Sequence, residues 1–510
     1  MHTRDGKLPW RQSGGCDGVV LLLLFGLVIA ILLTNTSFSV MDDEAFQVGS
    51  AAQPIGTVIG QFKTSETQLH PPLPDVMLHA WLRLTRNSLG LLRIPSTVFL
   101  VVGIWLSSLA AKRLAGDLAG RATVMLGVLW PYGFHFGRYA IWLSFCFFLL
   151  AALLYAYLCW LEDPNPRRFC AFVALATALL YTNYMGWAFL FVLGVDFLCR
   201  TEIHSRRHRL QAPMFAGVLC LCYLPVWPGL LNALRYHHAF SAKSLLMFVY
   251  SYYVLFASEA IAPWIFVLSI PIIVSILACS LVILIRGPQF ARVLYVSSVL
   301  LGLALALSGE INQRRVMPLA AWMLTASGIC IATVSPRWRR LLTGAFAIIG
   351  IFSWFGIMSQ GFYATPRVFE PWEQIADAST SHLLAGDTII ASHPAFLFYL
   401  TRDVMRREGA SLQEFRGNYG EQIERSGIYN VRDWISSSHP TSLHALFVAT
   451  LYGTDFEPTI EASEWLDHHC VREKTEKFEP NPDFHLKAKF FGPSQGSPWR
   501  IEVRKYRCDR

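Results

Sequence analysis

The chain has 510 residues, of which 54% are hydrophobic, 14% aromatic and only 15% charged. A soluble chain of this size would carry about 25% charged residues, so a wholly soluble protein is excluded. The net charge of +8 does not mark a nucleic-acid binder, because many of the Lys and Arg residues sit in short loops between apolar blocks, where they set membrane topology.

The first apolar segment runs from about Val19 to Val40. A helix needs roughly 20 residues to cross a bilayer. Thr34-Asn35-Thr36-Ser37 lacks a small-residue cleavage pattern, so the segment reads as a retained helix rather than a signal peptide. Asp42-Asp43-Glu44 follows at once. Carboxylates at a membrane exit can take a proton from a hydroxyl or hold a cation, and they can also be plain solvated topology markers. The loop from about 41 to 91 then carries Lys63 and His70-Pro71-Pro72-Leu73-Pro74. Residues 75–86 place apolar side chains on one helical side and read as a helix lying on the membrane surface.

Leu92-Arg93-Ile94-Pro95-Ser96 opens the second span. The expected spans are 19–40, 92–112, 120–136, 139–160, 168–185, 187–200, 212–228, 263–285, 290–308, 316–334 and 341–359, about eleven in all. Lys112-Arg113 with Arg121, Arg167-Arg168, Arg200 to Arg209, Arg286 with Arg292, and Arg337 to Arg340 then share one face with the N-terminal Arg4, Lys7 and Arg11. That face is expected to be cytoplasmic, which places loops 41–91 and 229–262 and the C-terminal tail outside. Within 229–262, residues 244–257 carry Tyr250, Tyr252, Tyr253 and Phe256 and read as a second surface helix. Arg314-Arg315, before Met317-Pro318, stands at the outer start of a span. Arginine there runs against the positive-inside trend, and its planar fork suits phosphate. Asp196 reads as a helix-end charge, and Tyr181 to Tyr184 as a turn.

Residues 1–360 thus form a polytopic α-helical membrane domain, and 361–510 a small extracytoplasmic α/β domain. In the tail, Trp372 to Leu384 reads as a helix, Asp387 onward as a strand, Leu443 to Leu451 as a strand, and Glu461 to His469 as a helix. Phe484 to Phe491 and Trp499 to Tyr506 alternate like a closing hairpin. Cys470 and Cys508 are the tail's cysteines, and a disulfide is permitted outside the cytoplasm, though spacing alone does not establish one. His237-His238 and His468-His469 are adjacent pairs without zinc-ligand spacing, so no metal ligands are assigned, and a divalent metal stays open.

Taken together, Asp42-Asp43-Glu44, His70-Pro71-Pro72-Leu73-Pro74, the helix after it, Leu92 to Ser96 and Lys112-Arg113 resemble the GT-C class of polytopic glycosyltransferases. The resemblance is best over residues 19–160. It is closest to the bacterial branch containing lipid A aminoarabinose transferase and the rhizobial lipopolysaccharide galacturonosyltransferases, with protein O-mannosyltransferases more distant. It implies a polyprenyl-phosphate sugar donor taken from the lipid bilayer and a hydroxyl acceptor on an envelope glycolipid, glycan or protein. Transfer would occur on the outer face of the bacterial inner membrane, usually with inversion. Asp43 takes the position of the class's general base, with Asp42 beside it. His70 stands where some relatives carry a phosphate-binding Lys, Lys63 is a second candidate, and Arg314-Arg315 resembles their Arg-Tyr-x-x-Pro-like stretch.

One departure stands out. Several relatives carry a second acid between the third and fourth spans, whereas Pro131 to Ser144 holds no Asp or Glu and offers His135, Arg138 and Tyr139. Asp42 or Glu44 fills that role, or the role is dispensable, or the chain is inactive. The competing classes are a transporter or lipid-linked sugar flippase and a non-catalytic assembly subunit. Against a transporter, the sequence shows no internal repeat and few ionisable groups deep in its spans.

Overall fold

The structure is a computed structural model. It describes residues 17–35, 40, 42–64, 70–85, 88–200, 206–235, 242–258, 261, 263, 265–309, 311, 314–359, 372–384, 387–391, 393, 396–400, 428–436, 439, 441, 443–451, 457–478 and 500–508.

A helix occurs at every expected span. Among the described residues, four of them, Leu89–Ala115, Trp142–Glu162, Phe266–Arg286 and Gln289–Leu307, are long and apolar enough to cross a membrane unaided. A bent pair, Arg206–Tyr223 with Trp227–Ala233, makes a fifth if the two halves form one span across their 72° bend. The others are shorter or less apolar. The expected span 120–136 is two helices, Asp117–Val128 and Pro131–Phe136. Proline at the first position of a helix cannot continue the hydrogen bonding of the helix before it, so the break falls at Leu129-Trp130. Gly116 turns the chain between Leu89–Ala115 and Asp117–Val128 at φ 85°, a conformation that side chains with a Cβ rarely adopt.

The described residues of loop 41–91 form three helices before the second span, Asp42–Ala52, Ile55–Thr64 and Leu73–Thr85. The last was expected to lie on the membrane surface, yet Asp75, His79, Leu82 and Thr85 are buried in the protein. Ala242–Ala257 departs in the same way. Its Tyr250, Tyr253 and Val254 are buried in the main core, and the Tyr252 hydroxyl donates to the Ser298 carbonyl at 2.6 Å. The aromatic character read as interfacial instead fills the bundle.

The tail holds a five-stranded sheet of order β2-β1-β3-β5-β4, with β1 Thr388–Ala391, β2 Ile428–Asn430, β3 His444–Leu451, β4 Cys470–Phe478 and β5 Arg500–Cys508. β1 runs parallel to β2 and β3, while β5 is antiparallel to β3 and β4. The expected partner of the last strand, 484–491, lies outside the described residues. β5 pairs with Cys470–Phe478, a segment so charged (Arg-Glu-Lys-Thr-Glu-Lys) that alternation gave no strand signal there. Cys470 and Cys508 face each other in that register, with Cα atoms 4.2 Å apart, and form a disulfide. Such a cross-link mainly limits the unfolded chain, so Cys508→Ser is expected to cost the tail about 2–4 kcal/mol. Thermal unfolding with and without reductant checks this, and an unchanged midpoint would contradict it.

The tail does not stand apart. Trp372, Ile389, Tyr399 and Val448 share one buried cluster with Val40, Ala45, Val48, Leu82 and Leu92 of the membrane domain. The Val40 N–H donates to the Tyr399 hydroxyl at 2.8 Å. Burial pushes the Tyr399 phenol up to about 12, so it stays neutral as the acceptor of that bond. The helix carrying Asp43 therefore rests on the tail from one side and on the spans from the other.

Candidate active site

Successive helical residues point about 100° apart, so neighbouring acids at the start of Asp42–Ala52 face different surroundings. Glu44 points inward and is fully buried. Its carboxylate meets the buried Arg93 guanidinium in a fork, Nε to Oε1 at 2.8 Å and Nη2 to Oε2 at 2.5 Å. Glu44 Oε1 also accepts the Ala140 N–H at 2.8 Å. Arg93 Nη1 donates to the Asn35 carbonyl, and the guanidinium lies 5.1 Å from the Tyr139 ring centre. A buried charge is tolerated only when paired and hydrogen-bonded, and this pair is both. It joins the end of the first helix, the Asp43 helix, the second long helix and the 138–141 turn.

With Glu44 turned inward, Asp43 faces outward. Its side chain is 57% exposed and forms an ion pair with Arg314. Gln47, one turn on and on the same side, donates to Asp75 Oδ1 at 3.1 Å and accepts the Trp142 N–H at 3.0 Å. These groups line a cleft of about 190 Å³, together with His70, Pro71, Leu143 and Arg315. The His70 ring packs on Trp142 with centres 4.9 Å apart. The fold thus brings Asp43, His70, Arg314 and Arg315 together from two segments more than 240 residues apart in sequence.

The remaining expected site residues lie elsewhere. Glu44 has both carboxylate oxygens engaged in the wall and does not line the cleft. Arg138 is fully buried, its Nε donating to the Phe134 carbonyl at 3.2 Å and its guanidinium 4.3 Å from the Phe134 ring centre. Tyr139 is buried against Arg93 and His135. Neither lines the cleft, because the turn after Pro131–Phe136 is buried rather than exposed at the surface. Lys63 is exposed at the end of Ile55–Thr64 and does not line the cleft. Asp42 begins the Asp43 helix, and its side chain lies outside the described residues. Among the described residues no three His, Cys, Asp or Glu side chains gather to hold a metal ion.

Two polar cleft residues, Gln47 and Asp75, were missed from sequence. Gln47 was legible only as the residue one turn beyond Asp43. Asp75 was counted as part of a surface helix, although an acid in the first turn after Pro-Pro-Leu-Pro was a visible signal. Asp75 is 3% exposed. It gives the cleft a second carboxylate, in a different loop from the stretch 131–144 where one was sought.

Beside the cleft lies an apolar groove of about 320 Å³, walled by Met77, Trp81, Ile94, Val98, Phe99 and Phe145. Gln47, Pro74, Ile141 and Trp142 line both spaces. A charged cleft and an oily groove therefore share one wall.

No family model matches the chain, and no curated protein matches it. Solved structures do. The crystal structure of ArnT from Cupriavidus metallidurans in the apo state is similar over 95% of this chain and 97% of that one, with a TM-score of 0.53 and 13% sequence identity. ArnT from Cupriavidus metallidurans bound to undecaprenyl phosphate is similar over 96% and 98%, with a TM-score of 0.56 and 12% identity. The chain therefore has the ArnT fold over nearly its whole length.

Proposed function

We propose that this protein transfers a sugar from a polyprenyl-phosphate donor to an acceptor hydroxyl at the outer face of the bacterial inner membrane. The observation that carries the reading is the cleft itself, where Asp43 is paired with Arg314 and flanked by Arg315, next to the apolar groove. A lipid-linked sugar phosphate needs each of these: cations for the phosphate, an oily channel for the first isoprene units, and a base for the acceptor. The ArnT fold and the undecaprenyl phosphate bound in one ArnT structure support the same donor class. The Cys470–Cys508 disulfide supports a tail outside the cytoplasm.

In this reading Arg314 and Arg315 hold the donor phosphate. The acceptor hydroxyl sits against Asp43, which takes its proton as the oxygen attacks the anomeric carbon from the face opposite the phosphate. The sugar–phosphate bond breaks, configuration inverts, and polyprenyl phosphate leaves with its added charge held by the arginines. Arg314 has a dual part: the arriving phosphate draws it from Asp43 and uncovers the carboxylate. Glu44 and Arg93 position the helix that carries Asp43. His70 and Trp142 form the wall between headgroup and lipid.

Arg314→Lys keeps the charge but loses the planar fork, so donor affinity is expected to fall about tenfold or more. Titrating undecaprenyl phosphate against purified wild type and variant measures this. Equal affinity in both would remove Arg314 from the donor site.

A further inference from the structure

Another large cavity is lined by none of the cleft residues. It is an apolar groove of about 450 Å³ between Asp117–Val128, Ala320–Thr333 and Pro336–Ser359. Leu118, Met125 and Leu129 line it at helical spacing, so it follows one helix from end to end. That run rises about 16 Å, close to half of a hydrocarbon core about 30 Å thick.

The two ends of the groove differ. At the end near Leu129, Trp354 Nε1 donates to the Leu129 carbonyl at 3.0 Å, and Trp354 packs edge-on against Phe134. Trp130 Nε1 donates to the Leu255 carbonyl at 2.6 Å in the same region. Trp130 lines the groove at this end, while Leu118, Met125 and Leu129 are each nearly half exposed, so the groove is open along its flank. At the other end, Arg121 and Arg339 line the mouth. Arg121 is paired with Asp17. Arg339 donates to the Ile331 and Ala332 carbonyls at 2.9 and 3.0 Å, the last carbonyls of Ala320–Thr333. Among the described residues, no carboxylate lies within ion-pair distance of Arg337, Arg339 or Arg340. Nearby Lys112 and Arg113, by contrast, are matched by Asp117 and Glu162. This end of the groove therefore carries Arg339, with no carboxylate partner among the described residues, beside the Arg121–Asp17 pair.

We propose that this groove holds one acyl chain of an acidic glycerophospholipid, with its phosphate on Arg339 beside Arg121. The groove runs along one helix away from its basic end, so a chain laid in it through the open flank places its headgroup at the arginines. Apolar lining sets chain burial, and the arginines select an anionic over a zwitterionic headgroup. The groove opens at the basic face and shares no lining residue with the cleft of Asp43. Its occupant is thus a resident lipid that braces three helices rather than the sugar donor.

Native mass spectrometry of the full-length protein tests this, with phosphatidylglycerol, phosphatidylcholine and undecaprenyl phosphate added in turn. Wild type is expected to retain one phosphatidylglycerol about tenfold more tightly than phosphatidylcholine. Arg339→Gln is expected to bring the two to parity, and Ala122→Phe, which fills the slot, to abolish retention of both. Arg339→Gln decides the matter if Ala122→Phe does not fold. Equal retention of the two lipids by wild type, or unchanged retention in a folded Ala122→Phe, would overturn the proposal. Displacement of phosphatidylglycerol by equimolar undecaprenyl phosphate would also overturn it, by giving the groove to the donor.

Discussion

Asp43→Asn is expected to slow sugar transfer by about 10²- to 10⁴-fold while leaving affinity for polyprenyl phosphate within a few-fold. The amide matches the carboxylate in shape but does not accept a proton from the acceptor hydroxyl. The protein should still fold, because the Asp43–Arg314 pair is more than half exposed on its acidic side. Pairs of that kind contribute about 0–1 kcal/mol. The expected signature is therefore a fall in kcat with little change in donor binding. Single-turnover transfer alongside a direct binding titration separates the two. A variant that turned over normally would remove Asp43 from the role of base.

Breaking the Glu44–Arg93 pair should act on the other axis, stability. Either Glu44→Leu or Arg93→Met leaves one charge buried without its partner, which costs about 3–5 kcal/mol. The loss is large because both groups are fully buried and because Asn35 and Ala140 also lose partners. The double variant Glu44→Leu/Arg93→Met removes both charges and is expected to be less damaged than either single variant. Thermal unfolding in detergent checks this. If the two losses simply added, Glu44 and Arg93 would be acting independently, contrary to the fork seen here.

The contrast between these experiments shows what could be read from the chain alone. Three acids in a row at a membrane exit were visible, but their division of labour was not. The side chains of Asp43 and Glu44 diverge by about 100° on the helix. Which one turns inward depends on Arg93, 49 residues away. Arg93 itself looked like part of an apolar helix start, since nothing local shows that a cation has a buried partner. Arg314 and Arg315 were singled out because positive charge at an expected outer helix start conflicts with the positive-inside trend, and both line the cleft. Arg138 and Tyr139 had the right chemistry at the right distance along the chain. The burial of the turn after Pro131–Phe136, a tertiary effect, keeps them out of the cleft lining. Helix positions were largely legible from hydropathy. Strand β4 was not, because its solvent-facing charges hide the alternation, and its pairing with β5 is fixed by the sheet and the Cys470–Cys508 bond.

The measurement that bears most directly on the account is release of free polyprenyl phosphate by the purified protein. A panel of polyprenyl-phosphate sugars would be offered with a cell-envelope extract as acceptor, to wild type and to Asp43→Asn. The account predicts release from at least one donor by wild type, and none above background by the variant. Equal release by both, or no release by a correctly inserted wild type that nonetheless carries the intact lipid-linked sugar across vesicle membranes, would contradict it.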